Sequence, residues 1–175
     1  MNRSRRIRPY LFTALAAAIA TACSSGEQGV VTAQKDDAVI VLSEGACLGP
    51  CPVYDMTLHP DGAYVLNGVR FVKDAGVTEG KFAPDTFDDA EKILSDAGFW
   101  SLKPKQTMET LPNCHNDAPT AKVTWRTAEG KEKTVEYNAG CGIQEMQQLV
   151  ANLRETLHFH DLVWTDAKFD PRGNR

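Results

Sequence analysis

Residues 47–62 read CLGPCPVYDMTLHPDG, and this stretch decides how the surrounding chain folds. Apolar and polar side chains alternate over residues 54–59, which predicts a strand with one buried face. The segment Cys47–Pro52 directly before it holds two cysteines, two prolines and a glycine, so we expect a tight turn into that strand. Pro60-Asp61-Gly62 then predicts a hairpin turn. The stretch therefore predicts the start of an antiparallel meander.

Patterns elsewhere in the chain predict further strands and two helices. Residues 39–42 are uniformly apolar, which is typical of a central strand. Predicted strands cover residues 39–42, 54–59, 63–66, 69–72, 121–126 and 133–137, and predicted helices cover residues 84–97 and 143–157. The order of meander, helix, hairpin and helix predicts an α+β fold, an antiparallel sheet of about five to six strands with two helices on one face.

The first 22 residues have the features of an export signal. Four arginines precede an uncharged apolar run that is too short for a transmembrane helix. The run ends in Ala20-Thr21-Ala22-Cys23, which is similar to a bacterial lipobox. We therefore predict a signal peptide over residues 1–22, with palmitate and other acyl chains on Cys23. Serine after that cysteine favours the outer membrane, facing the periplasm. An ordinary secretory signal cleaved nearby is the alternative.

Composition divides the remaining chain into a tether, one domain and a tail. Residues 23–37 are small and polar, which predicts a flexible tether, and residues 38–164 have the size of a single α+β domain. Residues 165–175 are predicted to be a disordered tail. Loss of the four signal-peptide arginines changes the net charge from −4 to −8. This acidity argues against nucleic acid as a partner, so we expect membrane attachment through the lipid alone.

Four cysteines remain once Cys23 is lipidated. An even number in an exported domain predicts two disulfides, for which three connectivities are possible. We favour Cys47–Cys51 and Cys114–Cys141. The second bridge would hold the long segment of residues 103–119 against the start of the last predicted helix.

Copper or thiol-redox chemistry is the main alternative to a structural role for the first cysteine pair. Cys47-x-x-x-Cys51-Pro52 resembles the motif of copper-handling chaperones with a thioredoxin fold. Two thiolates with His59, or with one of the three other histidines, would suit Cu(I). In that fold, however, the cysteines begin a helix, whereas Pro52 here leads into a predicted strand.

Two further catalytic or metal-site hypotheses use the other cysteines. Cys141 precedes a predicted helix, as the nucleophile of some periplasmic cysteine peptidases does. Its only later histidines, His158 and His160, lie about 25 Å away at the far end of that helix. A zinc site built from Cys114, His115, Cys141 and His160 has no recognised ligand spacing. A disulfide beside a surface histidine explains these residues more simply, and we predict no cofactor and no enzymatic activity.

The segment Cys47–Tyr54, followed by Asp61-Gly62 and Gly68, resembles the opening of a bacterial family called domain of unknown function 6438. Its members typically show Cys-Phe-Gly-x-Cys-Pro-x-Tyr, and Leu48 here replaces the phenylalanine. The likeness extends over residues 38–158. Many members are lipoproteins, but the family implies no activity.

Together these observations predict a lipid-anchored module that binds an unknown envelope protein or ligand. Its candidate functional residues are Cys47, Cys51, Pro52 and Tyr54. An exposed tryptophan or tyrosine beside them is the expected binding patch.

Overall fold

The computed structural model describes residues 38–115 and 117–164. The predicted signal peptide, Cys23, tether and tail lie outside these residues. Seven strands are present: β1 (Val39–Glu44), β2 (Val53–Leu58), β3 (Ala63–Arg70), β4 (Gly76–Lys81), β5 (Lys105–Gln106), β6 (Thr120–Arg126) and β7 (Glu132–Asn138). The helices are α1 (Thr86–Asp96), α2 (Gln144–Thr156) and α3 (Phe159–Leu162). None of these helices is long and apolar enough to cross a membrane.

The strands form one sheet in the order β4-β3-β2-β1-β6-β7-β5. The α+β class predicted from the sequence is confirmed, and β1, the most apolar strand, lies at the centre of the sheet. The predicted strand number and the purely antiparallel arrangement need correction. Within the described residues the sheet has seven strands, and it is mixed because β5 pairs with β7 in parallel while all other neighbours are antiparallel.

The strands that the sequence analysis missed bury almost no apolar surface. Every residue of β4 is exposed or only partly buried, and β5 contains two residues. Their sequences therefore lack the alternation that predicts a half-buried strand. The predicted break between the strands at residues 63–66 and 69–72 was also wrong, because β3 continues through Gly68 to Arg70. Glycine is needed at position 68 because the backbone of Asp74 lies close to it, and a Cβ there would collide with the carbonyl of Asp74.

The core lies between one face of the sheet and the two long helices. Alternate side chains of β1, such as Ile40 and Leu42, are buried with Phe87 and Leu94 of α1. The buried residues of α2 are Met146, Leu149, Val150 and Leu153. This spacing of three and four residues is the helical stripe that the sequence predicted.

Two residues outside regular structure fix where α3 lies. His158 separates α2 from α3 and has a left-handed conformation with a φ of 52°, so the two helices do not continue as one. The N–H of Lys73 donates to the carbonyl of Val163 at 2.9 Å. The segment after β3 therefore attaches α3 to the end of the sheet where β2 begins.

Candidate functional site

Cys47 and Cys51 are joined by a disulfide, with their Cα atoms 5.7 Å apart. The bond closes a five-residue ring, called here the disulfide ring, between the end of β1 and the start of β2. Leu48 lies in this ring, and its residue is 86% exposed, the highest value among the large apolar residues described. The ring thus holds an apolar side chain in solvent.

Two backbone hydrogen bonds hold the first half of the disulfide ring and the residue before it. Gly45 donates its N–H to the carbonyl of Thr120 at 2.8 Å, and Leu48 donates to that of Asp117 at 3.2 Å. Both acceptors lie at or just before the start of β6. We call this end of the sheet, where β1 ends and β2 and β6 begin, the ring end. The position of Leu48 therefore depends on the loop that precedes β6.

The second disulfide holds that loop. Cys114 is bonded to Cys141, so the structure pairs the four cysteines in the connectivity favoured by the sequence analysis. His115 donates its N–H to the carbonyl of Gly140 at 3.0 Å. A side chain at Gly140 would collide with the carbonyl of His115, so this approach requires glycine. The long loop is therefore closed onto the end of β7.

A buried amide completes the same attachment. The side chain of Asn138 donates to the carbonyl of Ala118 at 3.1 Å and accepts from the N–H of Gly140 at 2.9 Å. Ala139 also donates its N–H to the carbonyl of Pro119 at 3.0 Å. These bonds satisfy backbone groups that have no partner in a strand ladder. The loop before β6 is thus held by several hydrogen bonds as well as by a disulfide.

Beneath the ring end lies a buried charged cluster of Glu44, Tyr54 and Arg154. The Tyr54 hydroxyl donates to Oε1 of Glu44 at 2.8 Å. Arg154 donates Nε to the same oxygen at 2.6 Å and Nη2 to Oε2, which makes a bidentate pair. The side chain of Glu44 is only 2% exposed, whereas that of Arg154 is 38% exposed. The positive charge of Arg154 thereby compensates the negative charge of the buried carboxylate.

The cluster favours one fixed protonation state. Burial raises the pKa of the Tyr54 hydroxyl well above its ordinary value, and the negative charge of Glu44 raises it further. The hydrogen bonds to Glu44 raise the pKa of Arg154. Since the phenol stays neutral and the guanidinium stays charged, neither group suits proton transfer near neutral pH. The cluster therefore has the chemistry of a structural network.

Two sequence-derived expectations about the ring need correction. Tyr54 was expected within the functional surface, but its side chain is buried and bonded to Glu44. The exposed large apolar residue of the ring is Leu48 instead. His59 was an alternative metal ligand with Cys47 and Cys51, yet the six residues of β2 separate it from the ring. At about 3.3 Å per residue this strand is roughly 17 Å long, so the three residues do not form one site.

Outside the ring, the structure also bears on the other cysteine hypotheses. Because Cys114 and Cys141 are bonded to each other, neither supplies a thiolate for a nucleophile or for zinc in this state. Within residues 38–115 and 117–164, no group of three or more histidine, cysteine or acidic side chains is arranged to hold a metal ion.

The surface beside the disulfide ring contains a shallow groove of about 370 Å³. Val53 and Asp55 lie along it, on the sheet face opposite the helices, together with Lys122 and Glu136. The last two side chains approach within 3.9 Å as a cross-strand ion pair. An exposed apolar residue therefore neighbours a groove that carries both signs of charge.

Two more exposed apolar residues lie towards the same end of the sheet. Val69 is 54% exposed near the end of β3, and Val77 is 65% exposed near the start of β4. Arg70 pairs with Val53, which places these strand ends beside the ring. Neither valine could be predicted from the sequence as part of a site, because an isolated valine in a polar segment gives no signal of its exposure.

A separate groove of about 580 Å³ lies where α2 meets α3. Arg154, His158, Phe159 and Trp164 line it. The guanidinium of Arg154 lies 5.1 Å from the centre of the Phe159 ring, so the buried cluster extends to this second surface.

Comparison with known proteins identifies the family and nothing more specific. No curated protein matches the chain. A family model described as a domain of unknown function, DUF6438, matches residues 38–157. These residues include the disulfide ring, both bridges and the buried cluster. The match spans more than half of the chain and agrees with the resemblance based on the Cys47–Tyr54 segment, so the chain belongs to the DUF6438 family.

Proposed function

We propose that this protein is a lipid-anchored, non-enzymatic binding module of the bacterial cell envelope, and that it docks a partner at the ring end. The observation that carries the proposal is the exposure of Leu48 on a disulfide-closed ring. An apolar side chain held in solvent costs hydration free energy, which a partner relieves by covering it.

The rigidity of the ring supports a role in binding. The disulfide and the bonds of Gly45 and Leu48 to the loop before β6 limit the conformations of the ring. A residue that is already fixed loses little conformational entropy when a partner binds. Leu48 therefore has the properties of an anchor residue around which weaker polar contacts form.

The groove next to Leu48 suggests the chemistry of the partner. Its floor includes Val53, and its rim carries Lys122 and Glu136. We expect a polypeptide that places an apolar side chain against Leu48 and hydrogen-bonding or charged groups along the groove. Rim charges of this kind contribute more to orientation than to affinity.

A crosslinking experiment in the native host tests the docking surface. A photoreactive amino acid at position 48 should give a discrete adduct, whereas the same group at Met108 should not. Met108 is a matched control because it is also an exposed apolar residue, at 48% exposure. Equal adducts at both positions, or none at position 48, would contradict the proposal.

Membrane attachment requires its own test. The proposed anchor is Cys23, and the negative charge of the mature chain supports attachment by acyl chains rather than by anionic lipid. The wild-type protein should incorporate a labelled fatty acid and sediment with membranes, whereas the Cys23→Ser variant should do neither. Membrane sedimentation of the unlabelled variant would disprove this anchor.

Thiol-redox chemistry at the ring is a second candidate function. One observation favours it: the N–H of Gly49 donates to Sγ of Cys47 at 3.1 Å, a contact that would stabilise a thiolate after reduction. A mild dithiol should then reduce Cys47–Cys51 selectively while Cys114–Cys141 stays closed. Equal resistance of the two bonds would count against a redox role.

A further inference from the structure

The outer edge of β4 is open within the described part of the chain. β4 is the last strand of the sheet on its side, and no described segment pairs with its outer edge. The opposite edge is different, because β5 and the carbonyl of Pro104, which accepts from the N–H of Glu136, cover part of β7. An exposed edge strand offers unpaired N–H and C=O groups to another strand.

Hydrogen bonding fixes which residues of β4 offer those groups. The N–H of Phe82 donates to the carbonyl of Gly62 at 2.9 Å, so Phe82 faces β3. Main-chain groups alternate in direction along an antiparallel strand. Val77, Glu79 and Lys81 therefore point their N–H and C=O groups away from β3. Their side chains lie on the sheet face opposite the helices.

From these features we propose that a second copy of this chain pairs with β4 in an antiparallel, twofold arrangement. Three registers bring more than one pair of outward residues of this short strand opposite each other. One places Glu79 opposite Glu79 of the second copy, where like charges repel. Another places Glu79 opposite Val77 and leaves Lys81 beyond the strand. The third places Glu79 opposite Lys81 twice, which gives two cross-strand ion pairs.

The surroundings of these residues fit the third register. Glu79 forms no ion pair within the described residues, and Lys81 pairs only with the exposed carboxylate of Asp61, at 2.9 Å. Gly80 would face Gly80 of the second copy on the twofold axis. The ring of Tyr64 lies where a side chain at Gly80 would be, so it would cover the junction. The result is one continuous sheet across two domains.

Charge reversal tests both the dimer and its register, using the exported chain with Cys23→Ser. Sedimentation equilibrium at low salt should show a weak dimer, because one short strand buries little surface. Glu79→Lys and Lys81→Glu should each weaken association about tenfold, and the double variant should recover to within about threefold of the parent. Glu129→Lys, in the turn between β6 and β7, should have no effect.

Cysteine substitution gives an independent reading of the register. A mixture of Glu79→Cys and Lys81→Cys proteins should form an intermolecular disulfide, and Glu79→Cys alone should form much less. A monomer at all concentrations would overturn the proposal, as would unchanged association in the reversed variants or equal crosslinking of Glu79→Cys with itself. Leu48→Ala should leave the dimer intact, so this test is separate from the proposed docking function.

Discussion

The two disulfides both lie at the ring end but close very different lengths of chain. Cys47 and Cys51 are four positions apart, whereas Cys114 and Cys141 are 27 apart. The short bond shapes a surface ring between two strands that already pair with each other. The long bond joins a loop with little regular structure to the end of β7. The comparison suggests that the long bond mainly contributes stability and the short bond mainly positions Leu48.

Removal of the long bond should have the largest effect. The chain-entropy model predicts that Cys114→Ser with Cys141→Ser lowers the free energy of unfolding by about 3.6 kcal/mol. Urea denaturation of both forms measures this difference. A midpoint equal to that of the parent would show that the hydrogen bonds of Asn138 and His115 hold the loop by themselves.

Removal of the positive charge that faces Glu44 should cause the second largest loss of stability. Arg154→Met leaves a buried carboxylate without its bidentate partner, which we expect to cost about 3 kcal/mol. Lys92→Met is the matched control, because Lys92 forms an exposed ion pair with Asp96 and should lose under about 0.5 kcal/mol. Thermal and urea unfolding measure the stability of both variants. A loss for Arg154→Met that is no larger than the loss for Lys92→Met would show that the cluster under the ring adds nothing to stability.

Opening the short ring should cost less than opening the long loop. For Cys47→Ser with Cys51→Ser, the same entropy model gives about 2 kcal/mol. Hydrogen exchange should accelerate within residues 45–52 while β1 and β2 keep their protection. The crosslink at position 48 should nevertheless disappear, because Leu48 loses its fixed position. A larger loss of stability than for the long bond would reverse the comparison.

The smallest effect concerns the hydroxyl of Tyr54. Tyr54→Phe removes one hydrogen bond to Glu44 and should cost about 1 kcal/mol. Burial raises the pKa of Tyr54 in the folded state. The hydroxyl therefore contributes fully to the free energy of unfolding below about pH 10, the pKa of tyrosine in the unfolded chain, and this contribution declines as the pH rises further. Above that pH, the free energy of unfolding should decline less steeply with pH in the variant than in the parent. An identical decline would assign the alkaline sensitivity to other groups.

Much of the fold could be predicted from the sequence because its patterns are local. The alternation around Met56, the stripe around Leu149 and the end of α1 just before Gly98, a glycine with positive φ, each depend on neighbouring residues. β4 could not be predicted in this way, since the pairing of Val77 with Asn67 and of Glu79 with Val65 involves side chains that are exposed or only partly buried. An edge strand of this type is defined by backbone pairing rather than by burial.

The candidate site was predictable only in part. The number of cysteines predicted two disulfides, and the favoured one of three possible connectivities is the one that the structure contains. The role of Tyr54 could not be predicted, because Glu44 and Arg154 are 110 positions apart and no local pattern connects them. The exposure of Leu48 could not be predicted either, because an apolar residue between two cysteines can be buried or exposed.

Peptide mass spectrometry of the natively exported protein, after rapid trapping of free thiols, tests the central claim most directly. We expect Cys47–Cys51 and Cys114–Cys141 to be both fully closed, which assigns the cysteines to structure and Leu48 to binding. Free or metal-bound Cys47 and Cys51 beside a closed Cys114–Cys141 would contradict the account and place redox or metal chemistry at the ring.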